Sequence, residues 1–169
     1  GEKPLPYRFE GYWRDVGTIV SLWDANMDML SPTLINLYDP KWPIRAKSPI
    51  RPPHSIGRQA EGVHSIITEG CTIEGHVENS VLSNSVTVGA GARVLYSILH
   101  PGVVVEPGAV VEYAILGEGT VVGAGAHVGA QPDGTDAWCV ATVGPDVAVP
   151  AGATVPAGAM IYDGAEVHA

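Results

Sequence analysis

The chain has 169 residues, 46% of them hydrophobic, and a net charge of −9, enough length for one domain or two small ones. No run of about 18 uncharged apolar residues occurs, which excludes a membrane-spanning helix, and Gly1-Glu2-Lys3-Pro4 lacks the apolar core and cleavage site of a signal peptide. Residues 1–60 hold eight Lys and Arg against six Asp and Glu, whereas 61–169 hold Arg93 alone against twelve acidic residues, a balance that excludes nucleic acid and acidic lipid as partners.

Pro4 and Pro6 make an extended entry, and Phe9, Tyr12 and Trp13 crowd aromatics before Asp15. Thr18 is placed to cap a helix over 19–30, whose apolar face is Ile19, Leu22, Trp23, Met27 and Leu30 at helical spacing. Ser31-Pro32 ends it, and residues 33–40 are expected to add another helical turn. Lys41, Arg45, Lys47, Arg51 and Arg58 lie among Pro43, Pro49, Pro52 and Pro53, which reads as a stiff, extended, basic connector.

Beyond it runs a ladder of aliphatic residues from Ile67 to Val128. From Leu82 onward its steps are six, six and five residues, so that Leu82, Val88 and Val94 answer to Leu99, Val105 and Val111 with a period of 17. The words repeat too: Ser80-Val81-Leu82, Ser97-Ile98-Leu99 and Ala114-Ile115-Leu116. A fixed short period means stacked coils, and one inward aliphatic per five or six residues describes a parallel β-helix with three short faces. Gly, Ala, Pro and Asn are expected at its corners. Residues 129–142 break the period as a loop thrown out from one corner. Six-residue steps then resume at Val143, Val149, Val155, Ile161 and Val167, which makes about six coils. The outward neighbours Val81, Ile98, Val104, Val110 and Ile115 are candidates to face another coil stack or subunit.

The pattern resembles the hexapeptide-repeat, left-handed β-helix, and the hand is taken from that resemblance. More specifically, Gly11-Tyr12-Trp13-Arg14-Asp15-Val16-Gly17-Thr18, the run Leu22–Asp28, Trp42-Pro43-Ile44-Arg45 and Glu69–Gly75 resemble glucose-1-phosphate adenylyltransferases (ADP-glucose pyrophosphorylases). That likeness runs from about residue 5 into the early coils. It implies a C-terminal fragment: residues 1–55 as the end of a catalytic domain with its linker, and 56–169 as the β-helix domain. It also implies the parent activity, in which ATP and glucose 1-phosphate give ADP-glucose and pyrophosphate in glycogen or starch synthesis.

The same resemblance implies site residues. Asp15 would help hold a catalytic Mg²⁺, which in phosphoryl chemistry takes one or two carboxylates plus substrate phosphates. Trp13 would lie by the sugar phosphate, with Tyr12 beside it. An anionic allosteric effector would need Lys or Arg, and Lys41, Arg45 and Arg51 are the candidates. A cytoplasmic homotetrameric parent is implied as well. The fragment, lacking a Gly-rich phosphate loop, is expected to hold no cofactor and to be inactive alone.

Hexapeptide relatives also include acyltransferases with a catalytic His and carbonic anhydrases with three zinc-binding His. Here His76, His100 and His127 lie 24 and 27 residues apart. Those intervals differ from 17, so the three are expected on different columns, with no zinc set. The alternative to the adenylyltransferase reading is a free-standing acyltransferase or binding module, which has no use for Trp-x-Asp-Val-Gly-Thr.

Overall fold

A computed structural model describes residues 3–45, 47 and 49–162 of the chain. Among the described residues, eighteen strands of two or three residues follow one helix and form three parallel sheets of six strands each. Each coil contributes one strand to each sheet, so six coils stack into the expected left-handed, three-sided β-helix.

The first sheet takes β1 (Ser55–Ile56), β4 (Thr72–Ile73), β7 (Thr87–Val88), β10 (Val104–Val105), β13 (Val121–Val122) and β16 (Ala148–Val149). The second takes β2 (Glu61–Val63), β5 (His76–Glu78), β8 (Arg93–Leu95), β11 (Val110–Glu112), β14 (His127–Val128) and β17 (Thr154–Val155). The third takes β3 (Ile66–Ile67), β6 (Val81–Leu82), β9 (Ile98–Leu99), β12 (Ala114–Leu116), β15 (Ala141–Val143) and β18 (Met160–Ile161). Pairing such as Val88 with Val105 and Val105 with Val122 stacks the aliphatic ladder on itself.

From Ile73 through Val128 every ladder residue is buried, and so are Val143, Val149 and Val155. Ile67 and Ile161 close the two ends, half-buried against the core. The expected rung at Val167 lies outside the described residues. Two positions before each rung sits a second buried layer of small or β-branched residues, for example Ala92, Ala109 and Ala126. A large side chain cannot fit where the chain turns between faces.

At one corner this second layer is polar. Ser80 and Ser97 are fully buried; each hydroxyl donates to the carbonyl two residues back (Glu78 and Leu95, 2.8 Å) and accepts an amide from the next coil (Ser97 and Ala114, 3.1 Å). Ser65 does the same one coil earlier. The repeated serine is therefore satisfied, as most buried hydroxyls are. This corner is the five-residue step, and it bends through left-handed backbone at His64, Asn79, Tyr96 and Tyr113 (φ 43 to 48°). Asn79 is of the type expected at corners, whereas His64, Tyr96 and Tyr113 are not, and serine fastens the first three of these bends.

Several expectations need correction. The helix α1 spans Ile19–Asp28, shorter than 19–30, and 33–40 forms turns only, because Pro32 and Pro40 bracket too little chain for helix. Thr18 does cap α1, through a box with Ser21: the Ser21 amide donates to Thr18 Oγ1 (3.1 Å) and the Thr18 amide to Ser21 Oγ (3.0 Å). The excursion after β14 ends at Val140, since Ala141 already opens β15. Ile98 and Ile115 do not face a second coil stack; Ile19, Trp23 and Met27 of α1 cover them.

Burial of a Leu contributes several times more than a half-exposed neighbour. Leu99→Ala is therefore expected to lower unfolding stability by about 2–5 kcal/mol, and outward Val104→Ala by less than about 1 kcal/mol. Urea denaturation of both variants checks this.

Candidate functional site

Residues 11–18 lie alongside α1 and are held to it by polar contacts. Arg14 forks onto the helix, Nη1 to Asp24 at 3.1 Å and Nη2 to Asp28 at 2.6 Å. Asp28 also accepts the Tyr12 hydroxyl at 2.9 Å. Asp24 and Asp28 are one helical turn apart, so a single face presents both carboxylates. The Tyr12 phenol is pushed above its ordinary value of 10.0, first by desolvation and then by its bond to Asp28. The Arg14 guanidinium is raised too, chiefly by hydrogen bonding to Tyr12, with Asp28 and Asp24 adding to it.

Tyr12, Trp13 and Asp15 line one open depression of about 550 Å³, bounded also by Gly11, Asp28 and Leu34. Trp13 is 75% exposed, which leaves its ring face available to a ligand. Asp15 is exposed, and its Oδ1 accepts the Gly17 amide at 3.1 Å, an Asx turn leading into the Thr18 cap. As a cation ligand Asp15 is suitable but insufficient. Asp28 is engaged by Arg14 and Tyr12, and among the described residues no group of three His, Cys, Asp or Glu is placed to hold a metal.

The proposed effector residues are not gathered into one site with this depression. Lys41 and Arg45 are exposed on the connector, and Arg51 borders a separate groove with Asn84, Ser85, Glu118 and Asp146. The sequence reading missed Arg14, Asp24 and Asp28, which fix the segment; their only signal was the i, i+4 carboxylate pair on a helix.

The histidines are arranged differently from the expectation. His76 and His127 do share a column, three coils apart, because their separation of 51 residues is three periods of 17; the registers run His76–Arg93–Val110–His127. Of the three, His100 lies elsewhere, at an exposed corner after β9. His76 sits between Glu61 Oε2 (3.2 Å) and Glu78 Oε2 (3.1 Å), and His127 Nε2 is 2.7 Å from Glu112 Oε1. Each is occupied by carboxylates on its own part of the face.

Residues 52–149 match the family model described as GlmU-like, C-terminal hexapeptide. The chain is 54% identical over 99 residues to a glucose-1-phosphate adenylyltransferase of Clostridioides difficile (strain 630), a match covering 58% of this chain and 26% of that protein. It is 50% identical over 103 residues to the enzyme of the same name from Bacillus mycoides (strain KBAB4), covering 60% and 27%. The matched stretch thus spans about a quarter of the length of these curated relatives. Among solved structures, the acetyltransferase domain of PglB from Neisseria gonorrhoeae FA1090 is similar, with TM-score 0.56 and 29% identity over 68% of this chain and 53% of that one.

Asp28→Asn removes the charge that Arg14 and Tyr12 share. Ion pairs this exposed are weak, so amide exchange of residues 12–17 is expected to quicken by no more than about fivefold, with the thermal transition of the β-helix unmoved. The raised Tyr12 ionisation favours the folded contact below pH 10 and loses it as pH rises through the elevated value. In the variant that ionisation is expected to fall back toward 10, read by tyrosinate absorbance.

Proposed function

The chain belongs to the GlmU-like C-terminal hexapeptide family, and from that premise we propose that it is the C-terminal part of a glucose-1-phosphate adenylyltransferase. The parent enzyme would join glucose 1-phosphate to the α-phosphate of ATP, giving ADP-glucose and pyrophosphate. The observation that carries this reading is 54% identity over 99 residues to an enzyme of that name. The Gly11–Thr18 word, held open beside α1, supports it further. So does the exposure of Leu5, Tyr7, Phe9, Trp13, Trp42 and Ile50, an apolar series that suits cover by another domain.

In this reading Trp13 and Tyr12 contact the sugar phosphate, and Asp15 supplies one carboxylate to Mg²⁺, whose charge would neutralise the reacting phosphates. Residues 1–55 complete the catalytic domain and 56–169 form the regulatory and assembly domain. Lys41, Arg45 and Arg51 would serve an anionic effector, since the coils offer almost no cations. The parent would be a cytoplasmic homotetramer. With Ile98 and Ile115 covered by α1, the outward faces that carry Val104 and Val110 are left for association.

A hexapeptide acyltransferase is the second reading, favoured by the likeness to the PglB acetyltransferase domain. His127 backed by Glu112 has the chemistry of a general base. That reading leaves the Trp-x-Asp-Val-Gly-Thr word without a task. Hydrolysis of acetyl-CoA by the purified chain, lost in His127→Ala, would favour it.

Residues 1–169 alone are expected to make no ADP-glucose. The full-length polypeptide is expected to make it, with kcat reduced about 100-fold or more in Asp15→Asn, the scale of losing one transition-state electrostatic group. Activation of that polypeptide by fructose 1,6-bisphosphate should weaken in Arg45→Ala; unchanged activation removes Arg45 from the effector site. Light scattering of residues 1–169 at tens of micromolar should give a mass above that of the monomer, and a monomeric mass removes the assembly role.

A further inference from the structure

We infer that Trp138, on the loop of residues 129–140, and Trp23 of α1 form a clamp that positions the Gly11–Thr18 segment from the side of the β-helix. The loop has no task in coil stacking. On this column Val94, Val111 and Val128 pair at steps of 17 residues, whereas Val128 and its partner Val155 are 27 apart, yet both flanking strands keep their pairing. Its tip is ordered by its own contacts: Asp133 Oδ1 accepts the Thr135 amide (2.9 Å) and hydroxyl (2.7 Å), and the Trp138 indole donates to the Ala130 carbonyl (3.0 Å).

Trp138 then packs edge-on against Tyr113 (centroids 5.7 Å) and Trp23 (6.4 Å). Trp23 lies 5.8 Å from Tyr113, and its indole donates to the Tyr96 carbonyl at 2.7 Å; Tyr96 and Tyr113 stack at 4.8 Å. Covering Ile98 and Ile115 needs only aliphatic bulk. Four rings and a directed N–H fix the angle of α1 as well as burying its face.

The adjoining side of that helix holds the segment. Asp24 adjoins Trp23 in sequence, and Asp28 adjoins Met27. A helix turns as a rigid body over this length, so any tilt at Trp23 moves the carboxylates that grip Arg14 and Tyr12. Loop, rings, helix and segment form one continuous path of contacts, ending beside Trp13 and Asp15. Trp23 and Trp138 are positioning residues, for neither lines the depression.

A catalytic consequence presupposes the adenylyltransferase reading, whereas the mechanical one does not, and two measurements separate them. In residues 1–169, Trp138→Ala is expected to quicken amide exchange at 12–18 about two- to tenfold, the scale of one lost aromatic pair, with Val104 and Val105 unchanged. Trp138→Phe should restore part of the protection. Faster exchange confined to 129–140 overturns the clamp, as does loss of protection throughout the coils in both variants. In the full-length polypeptide, Trp138→Ala should lower kcat by a similar factor while the KM for ATP stays fixed; an unchanged kcat overturns the catalytic role. If the wild-type polypeptide makes no ADP-glucose, the functional reading falls and exchange alone decides the clamp.

Discussion

No single coil of this protein can bury its own aliphatic residues, and that constraint shapes everything else. Each coil contributes three short strands whose inward side chains find cover only in the coils above and below. The amides and carbonyls have the same problem and the same answer, as in Val81 to Ser97 (2.9 Å) and Val104 to Thr120 (2.9 Å). Stability in such a stack comes from neighbour-to-neighbour interfaces, so the interior must repeat faithfully while the exterior is free to vary. Residues free to take on other tasks are therefore found on the outside and in the segment before the coils.

Along the third face that freedom is used to anchor the N-terminal segment. The outward column there reads Ile66, Val81, Ile98, Ile115, Thr142 and Met160. Residues from α1 onward lie over it: α1 covers Ile98 and Ile115, and Leu30, Pro32 and Ile35 approach Ile66 around a small apolar cavity of about 250 Å³. Burial in this apolar, aromatic setting, with Tyr96 and Glu112 nearby, pushes the Tyr113 phenol above its ordinary value. The two other faces carry threonines, valines and His–Glu pairs, with Glu61, Glu78 and Glu112 on the second.

The fold was legible because its period is written in residues that have only one place to go. Leu82, Leu99 and Leu116 recur 17 apart and all are fully buried. Gly91-Ala92, Gly108-Ala109 and Gly125-Ala126 also recur 17 apart, yet the burial of their alanines follows from corner geometry that period alone does not give. The column shared by His76 and His127 was hidden because His100, on another face, broke the interval into two misleading numbers. The cover over Ile98 and Ile115 was illegible for a different reason. Docking of a helix on a sheet depends on where a proline-rich connector leads the chain, and no local pattern encodes that. In the candidate site the Gly11–Thr18 word stood out, whereas the Arg14 fork onto Asp24 and Asp28 joins residues at ordinary spacings.

The loop at 129–140 shows what this architecture tolerates. Its ten extra residues leave at the corner after β14, where Gly129 has φ 86° and any Cβ would overlap the Glu112 carbonyl oxygen. Before and after it the strands meet their neighbours as though nothing had been added. A coil corner is thus a graft point: peptide of arbitrary length can enter there, because both ends of the insert emerge where the scaffold already holds them. For protein engineering, the equivalent corners of other coils are ports at which a sensor peptide or a binding hairpin can be displayed, at spacings set by the stack itself.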